Sequence, residues 1–174
     1  HYWIWKNYLD KIKTEWVGFC QYRKFFSRKQ KFNNLDEFDD LSNNVIQNID
    51  SKNDIDCILG EKFSVENYKL SKIFKNHFVN FFLNPVLFFN KKKRNLKFHF
   101  DLFHGKGNLD VAIDQLDKYN KDDFRNFMNN NTSFNPHNMF ICKREILKPY
   151  YETVFPWLER CENIFGFENL KGYG

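Results

Sequence analysis

Small residues are scarce in this 174-residue chain, which has one alanine, Ala112, and seven glycines. Phenylalanine, by contrast, occurs 22 times, and asparagine and lysine are frequent. That bias reads as the drift of an AT-rich genome rather than selection for aromatic stacking. The net charge of +5 is therefore weak grounds for a nucleic-acid partner. It suits equally a protein that meets anionic small molecules or an anionic membrane surface. The four cysteines, Cys20, Cys57, Cys142 and Cys161, include no C-x-x-C pair, which argues against a zinc site. Cys20, Cys57 and Cys142 lie in or beside apolar runs, and buried free thiols in a reducing compartment are expected. No apolar run reaches the length of a membrane span. The longest candidate, residues 78–89, is interrupted by Asn80, Asn84 and Pro85. Internal repeats are also missing, and the length suits one domain with a real core.

What is present begins with the stretch Glu15-Trp16-Val17-Gly18-Phe19-Cys20-Gln21-Tyr22-Arg23-Lys24. An apolar run ends abruptly in polar and cationic residues. Such a run is the pattern of a buried strand in an α/β sheet, and ligands of these sheets bind beyond the carboxyl ends of strands. Arg23 is then placed where its forked cation could hold a phosphate or carboxylate. The other reading is that Arg23 opens a solvated loop.

Along the chain, periodicity predicts a helix over residues 1–13, with Trp3 and Ile12 toward a core. A strand follows over 16–22, then a basic loop at 28–34 and a polar helix from 34 to about 49. A short strand is predicted over 56–59 and a helix from Ser64, with Ser64 as its N-cap. Residues 74–89 read as a helix broken at Pro85. Residues 96–103 alternate apolar and polar positions and predict a strand. Helices are predicted over 109–119, with Asn108 as cap, and over 122–129. A loop over 129–133, a strand over 140–143 and a long helix over 148–165 ended by Gly166 complete the reading. Strands separated by helices indicate an α/β class. All four tryptophans are assigned to the core.

Two blocks, Tyr2-Trp3-Ile4-Trp5-Lys6-Asn7 with residues 17–25, and Asn138-Met139-Phe140-Ile141-Cys142-Lys143-Arg144-Glu145 with Phe155-Pro156-Trp157-Leu158, resemble a bacterial domain family of capsule and lipopolysaccharide loci. That family is regarded as glycosyltransferase-like. The resemblance implies a partial GT-A-like, Rossmann-like mixed sheet flanked by helices. It also implies transfer of a sugar from a nucleotide-sugar donor to a cell-surface polysaccharide or lipid-linked acceptor. The expected setting is cytoplasmic, with peripheral contact at the inner membrane face and no nucleic acid as partner. A divalent metal, manganese or magnesium, is admissible beside the donor diphosphate. His1 in place of a methionine, and a stop at Gly172-Tyr173-Gly174, read as a single incomplete domain lacking N- and C-terminal parts. The family usually has histidine where this chain has Gln21, which cannot serve as a base or carry charge.

Donor or substrate binding is assigned to Gln21, Tyr22, Arg23, Lys24, Asn135 and Asn138. Asn135, His137 and Asn138 supply the mixture of donors and acceptors that sugar hydroxyls need; otherwise they only shape a turn. Catalytic candidates are His137, His104 and Asp101. The set His99-x-Asp101-x-x-His104 admits a metal site, acid/base work by His104, or an idle polar face. Asp54-Ile55-Asp56 spells a literal D-x-D, but it precedes its strand instead of following it. Lys91-Lys92-Lys93-Arg94 and residues 28–31 support a second reading, a non-catalytic module on nucleic acid or anionic membrane.

Overall fold

The computed structural model describes residues 1–22, 24–27, 43–46, 49, 55–66, 90 and 94–166. The expected helix over 34–49, apart from its last few residues, the expected helix from Ser64 beyond Glu66 and the expected helix over 74–89 lie outside these residues, as do Arg23, Asp54 and both basic runs except Arg94. Two compact units emerge, His1–Glu61 with Pro136–Pro149, and Lys62–Asn135 with Tyr150–Gly174.

In the first unit, helix α1 (Tyr2–Asn7) passes into a 3-10 turn at Leu9–Lys11. Three strands follow in chain order: β1 (Trp16–Phe19), β2 (Cys57–Leu59) and, after the excursion through the second unit, β5 (Phe140–Lys143). Their order in the sheet is β1-β5-β2. Both outer strands run antiparallel to β5, in register Phe19↔Phe140 and Leu59↔Phe140. β1 and β2 therefore point the same way, and both end at the edge where β5 begins. The apolar run from Trp16 stops being strand at Phe19, three residues earlier than its sequence suggests. Ile141 and Cys142 are buried on β5, as a central strand covered by neighbours requires. Gly18 faces Ile141, and a Cβ at Gly18 would meet the Ile141 side chain at 3.4 Å.

The second unit pairs β3 (Phe63–Ser64) with β4 (Ser133–Phe134). Ser64 is thus a strand residue, not the N-cap of a helix. Among the described residues, three helices lie between these strands: α2 (Leu96–His104), α3 (Asn108–Asp114) and α4 (Lys118–Asn130). The expected strand over 96–103 is helix. Its alternation is real, but three local signals outweigh it. The Asn95 side chain accepts from the Phe98 N–H at 2.8 Å, a proper N-cap. Lys97 and Asp101 form an i,i+4 ion pair at 3.2 Å. The rings of Phe100 and His104 meet at a tilt one turn apart at 4.6 Å, as do those of His99 and Phe103 at 4.8 Å. Asp117 caps α4 through the N–H groups of Tyr119 and Asn120, which moves the break between α3 and α4 earlier than expected.

Helix α5 (Arg144–Phe165) starts in the first unit and continues in the second. Gly166 ends it with φ +64°, its N–H bonded to the Glu162 carbonyl at 2.8 Å. Pro149, past the first turn of the helix, lacks the N–H that would bond the Glu145 carbonyl, and its ring crowds that carbonyl. No helix among the described residues is long and apolar enough to cross a membrane.

The tryptophans divide. Trp157 donates to the Ala112 carbonyl at 2.7 Å and meets Phe124 edge-on, an interior role. Trp3 is 65% exposed and stacks beside Tyr8, so its assignment to the core is wrong. The six residues of α1 include no buried one.

Candidate functional site

The carboxyl ends of β1 and β2 and the amino end of β5 share one edge of the first unit's sheet. Residues 20–22 and Lys24 follow β1 there, and residues 136–139 arrive at β5 there. The chain turns after β1 through a bond from the Lys24 N–H to the Gln21 carbonyl, 3.1 Å. This turn carries Lys24 back to the strand that enters β5. The Lys24 ammonium lies 3.0 Å from His137 Nε2 and 3.2 Å from Nδ1. The two residues are 113 positions apart in sequence and both are exposed. Asn138 is exposed beside His137, Gln21 is half-buried, and Tyr22 is 84% exposed.

An ammonium donates and never accepts, so the imidazole nitrogen that it bonds must keep its lone pair. Among the described residues, Lys24 has no carboxylate partner. An ammonium not offset by a carboxylate is available to an incoming anion. Five assigned residues therefore gather at one edge: Gln21, Tyr22, Lys24, His137 and Asn138. On the same edge the His1 ring packs 4.4 Å from Phe19 and 5.6 Å from Phe140. Sequence reasoning passed over His1, because a terminal residue shows no periodicity.

The remaining candidates lie in the second unit. Asp101 accepts from Lys97 at 3.2 Å and from the Gly107 N–H at 3.3 Å. Lys97 also reaches Asp110 at 2.6 Å. Asp101 thereby closes the turn between α2 and α3, around Gly105 and Gly107, both at positive φ. On a helix, His99 and Asp101 do not share a face, so the reading of them as neighbours on a strand fails. Burial, and secondarily the charge of His104, holds the His99 imidazole below its ordinary range. His104 is exposed, and Asn135 is half-buried after β4.

Among the described residues, no group of three or more histidines, cysteines or acids could hold a metal ion. Among the described residues, the side chains at the sheet edge are an ammonium, an imidazole, amides and a phenol, with no carboxylate of the kind hard divalent cations favour. Asp56 of the D-x-D is committed elsewhere, since its carboxylate takes Lys143 at 2.6 Å. Cys142 is buried, Cys161 is half-buried, and Cys20 and Cys57 are exposed; all four are free thiols. The expectation of burial thus holds for Cys142 and fails for Cys20 and Cys57.

Over its full length, residues 1–174, the chain matches the model of a family described as a domain of unknown function, DUF4422. The chain belongs to this family. The DUF4422 chain is also similar in fold to a solved structure, the bifunctional glycosyltransferase WbbM in its apo form. Identity is 21% and the TM-score 0.51, over 98% of this chain and 29% of that one. The DUF4422 chain thus spans less than a third of the length of WbbM, and at this identity the likeness is one of fold. No curated protein sequence matches.

Proposed function

We propose that this DUF4422 chain is part of a glycosyltransferase of the GT-A kind. It would transfer a sugar from a nucleotide-sugar donor to a glycan or lipid-linked acceptor. The observation that carries this reading is the Lys24–His137 contact at the carboxyl edge of β1. It joins a cation that has no carboxylate partner among the described residues to an imidazole on an exposed edge. The fold likeness to a glycosyltransferase is consistent with it.

In the proposed reaction the bond between the anomeric carbon and the diphosphate oxygen breaks. The bond between the acceptor oxygen and that carbon forms. Negative charge collects on the leaving diphosphate, where Lys24 would stabilise it. Arg23 is given the same task on sequence grounds alone. His137, released by Lys24, would take the acceptor hydroxyl's proton. Gln21, Tyr22 and Asn138 would orient sugar hydroxyls. No step in this scheme is routed through a metal.

Isothermal titration with a panel of nucleoside diphosphates and nucleotide sugars, with and without manganese, tests the proposal. Saturable binding of one nucleotide class, weakened in Lys24→Ala, is the expected result. Binding to none of them, or binding only with manganese and indifferent to Lys24, would sink it.

A further inference from the structure

We propose that Cys57 and Cys142 are an oxidative modification site, closing into a reversible disulfide between β2 and β5. The two residues are direct partners in the antiparallel register. The phase of the ladder fixes how they face each other. The Lys143 N–H bonds the Asp56 carbonyl at 3.0 Å. That bond joins the residue after Cys142 to the residue before Cys57. Cys57 and Cys142 are therefore a non-hydrogen-bonded pair, the class in which opposed Cα atoms approach to about 4.5 Å and side chains are closest. Disulfides span Cα separations of roughly 4.4–6.8 Å. The backbone thus already has the spacing that a bridge needs, at the short end of the range.

Two further observations fit. Burial, together with the charge of Cys57, pushes the Cys142 thiol up to about 11, so the two sulfurs sense each other. Accessibility is also divided between them: Cys57 is exposed and Cys142 is buried. The remaining thiols are poorly placed as competitors. Cys20 lies beyond the last β1 rung, Phe19↔Phe140, two residues along β5 from Cys142, and Cys161 belongs to the second unit.

The chemistry is thiol–disulfide exchange with a small-molecule disulfide such as oxidised glutathione. The exposed Cys57 thiolate attacks one glutathione sulfur, and one glutathione thiolate leaves. The Cys142 thiolate then attacks the Cys57 sulfur and expels the second glutathione. Two protein thiols are oxidised, one glutathione disulfide is reduced, and the two protons end on the two released glutathiones. The bridge would tie the three-residue strand β2 to β5, the strand whose amino end carries His137 and Asn138.

The test is incubation of the folded chain in glutathione redox buffers, followed by acid quench, alkylation and peptide mapping. The expected result is loss of alkylation at Cys57 and Cys142 together, with a cross-linked peptide pair two hydrogens lighter than the free thiols. Dithiothreitol should restore both. In Cys142→Ser the mixed disulfide should accumulate on Cys57, and in Cys57→Ser Cys142 should stay reduced. Because Cys57 is exposed, Cys57→Ser leaves the core intact. An adduct on Cys57 of the unaltered chain that never resolves would overturn the proposal. So would cross-links spread evenly over Cys20, Cys57 and Cys142.

Discussion

Lys24 meets His137 because one turn after β1 and one segment before β5 are brought to the same edge by a register of four rungs. At the residue scale, this contact separates two tasks that substitution can pull apart. Lys24→Ala removes a charge-assisted donor, worth about 1.5–3 kcal/mol against an anion. Calorimetry should show nucleotide affinity falling roughly ten- to hundredfold. His137→Asn keeps a polar side chain but loses the base. Turnover should drop by about 10²–10⁴, while nucleotide affinity stays near that of the unaltered chain. Equal losses of affinity in both variants would show that the two residues only hold each other. The site was partly legible in the sequence. Gln21 to Lys24 stand out because an apolar run breaks into them, and His137 and Asn138 because they lead into a strand. Their meeting was not legible, since it depends on antiparallel pairing across more than a hundred residues. Thiol exposure was misread for a related reason. Cys57 sits in an apolar run, yet that run is a three-residue edge strand paired on one side only, and Cys57 is exposed. Maleimide labelling at neutral pH should therefore modify Cys20, and more slowly Cys57, whose thiol burial pushes up, and Cys142, with its thiol pushed up to about 11, only after unfolding.

Strands β1, β2 and β5 were legible as elements, because short apolar runs with polar ends have few alternatives. β5 was placed residue for residue. Helix α2 was not, because Leu96, Phe98, Phe100 and Leu102 satisfy a period of two while Leu96, His99, Phe100 and Phe103 satisfy a helical one. What decides between them is the cap at Asn95 and the Lys97–Asp101–Asp110 cluster, which alternation ignores. At the scale of the element, this makes Asn95→Ala a sharp probe. Loss of the cap should cost about 1 kcal/mol, read as a lower denaturant midpoint with an unchanged slope. His99 on the same helix makes stability depend on pH. The folded chain holds the imidazole below its ordinary range, chiefly by burial, so below about pH 6.5 the unfolded chain binds a proton that the folded chain refuses. Stability is then full above that pH and falls as the pH drops toward the folded value, by at most about 1.4 kcal/mol per pH unit. Between pH 7.5 and 5.5 the melting temperature of the unaltered chain should fall further than that of His99→Phe. Parallel pH profiles would show that His99 is not the group responsible.

For the whole molecule, the question is what a charge of +5 is for. A module that wraps nucleic acid or an anionic surface needs its cations outside and in series. Here Arg94, the last residue of the densest basic run, is 4% exposed and donates to the Glu66 carbonyl at 3.1 Å. Other cations are taken up in ion pairs: Lys143 with Asp56, Lys97 with Asp101 and Asp110, and Lys121 and Arg125 with Asp114. Lys24, facing an imidazole, is a cation of a different kind, and one such site suits a small anion better than a polymer. The two readings predict different responses to salt. Each phosphate neutralised on a single strand contributes about −0.7 to the slope of log affinity against log salt concentration. Binding through two basic loops would give a steep slope and tight binding at low salt. The charge distribution predicts instead that single-stranded DNA binds weakly at any salt concentration. A nucleoside diphosphate should bind saturably, with a shallow slope of about one charge pair, and Lys24→Ala should flatten that slope further. Titrations of both ligands between low and physiological salt, monitored by intrinsic fluorescence, measure these slopes directly. A steep DNA slope that persists in Lys24→Ala would return the basic loops to the centre of the function.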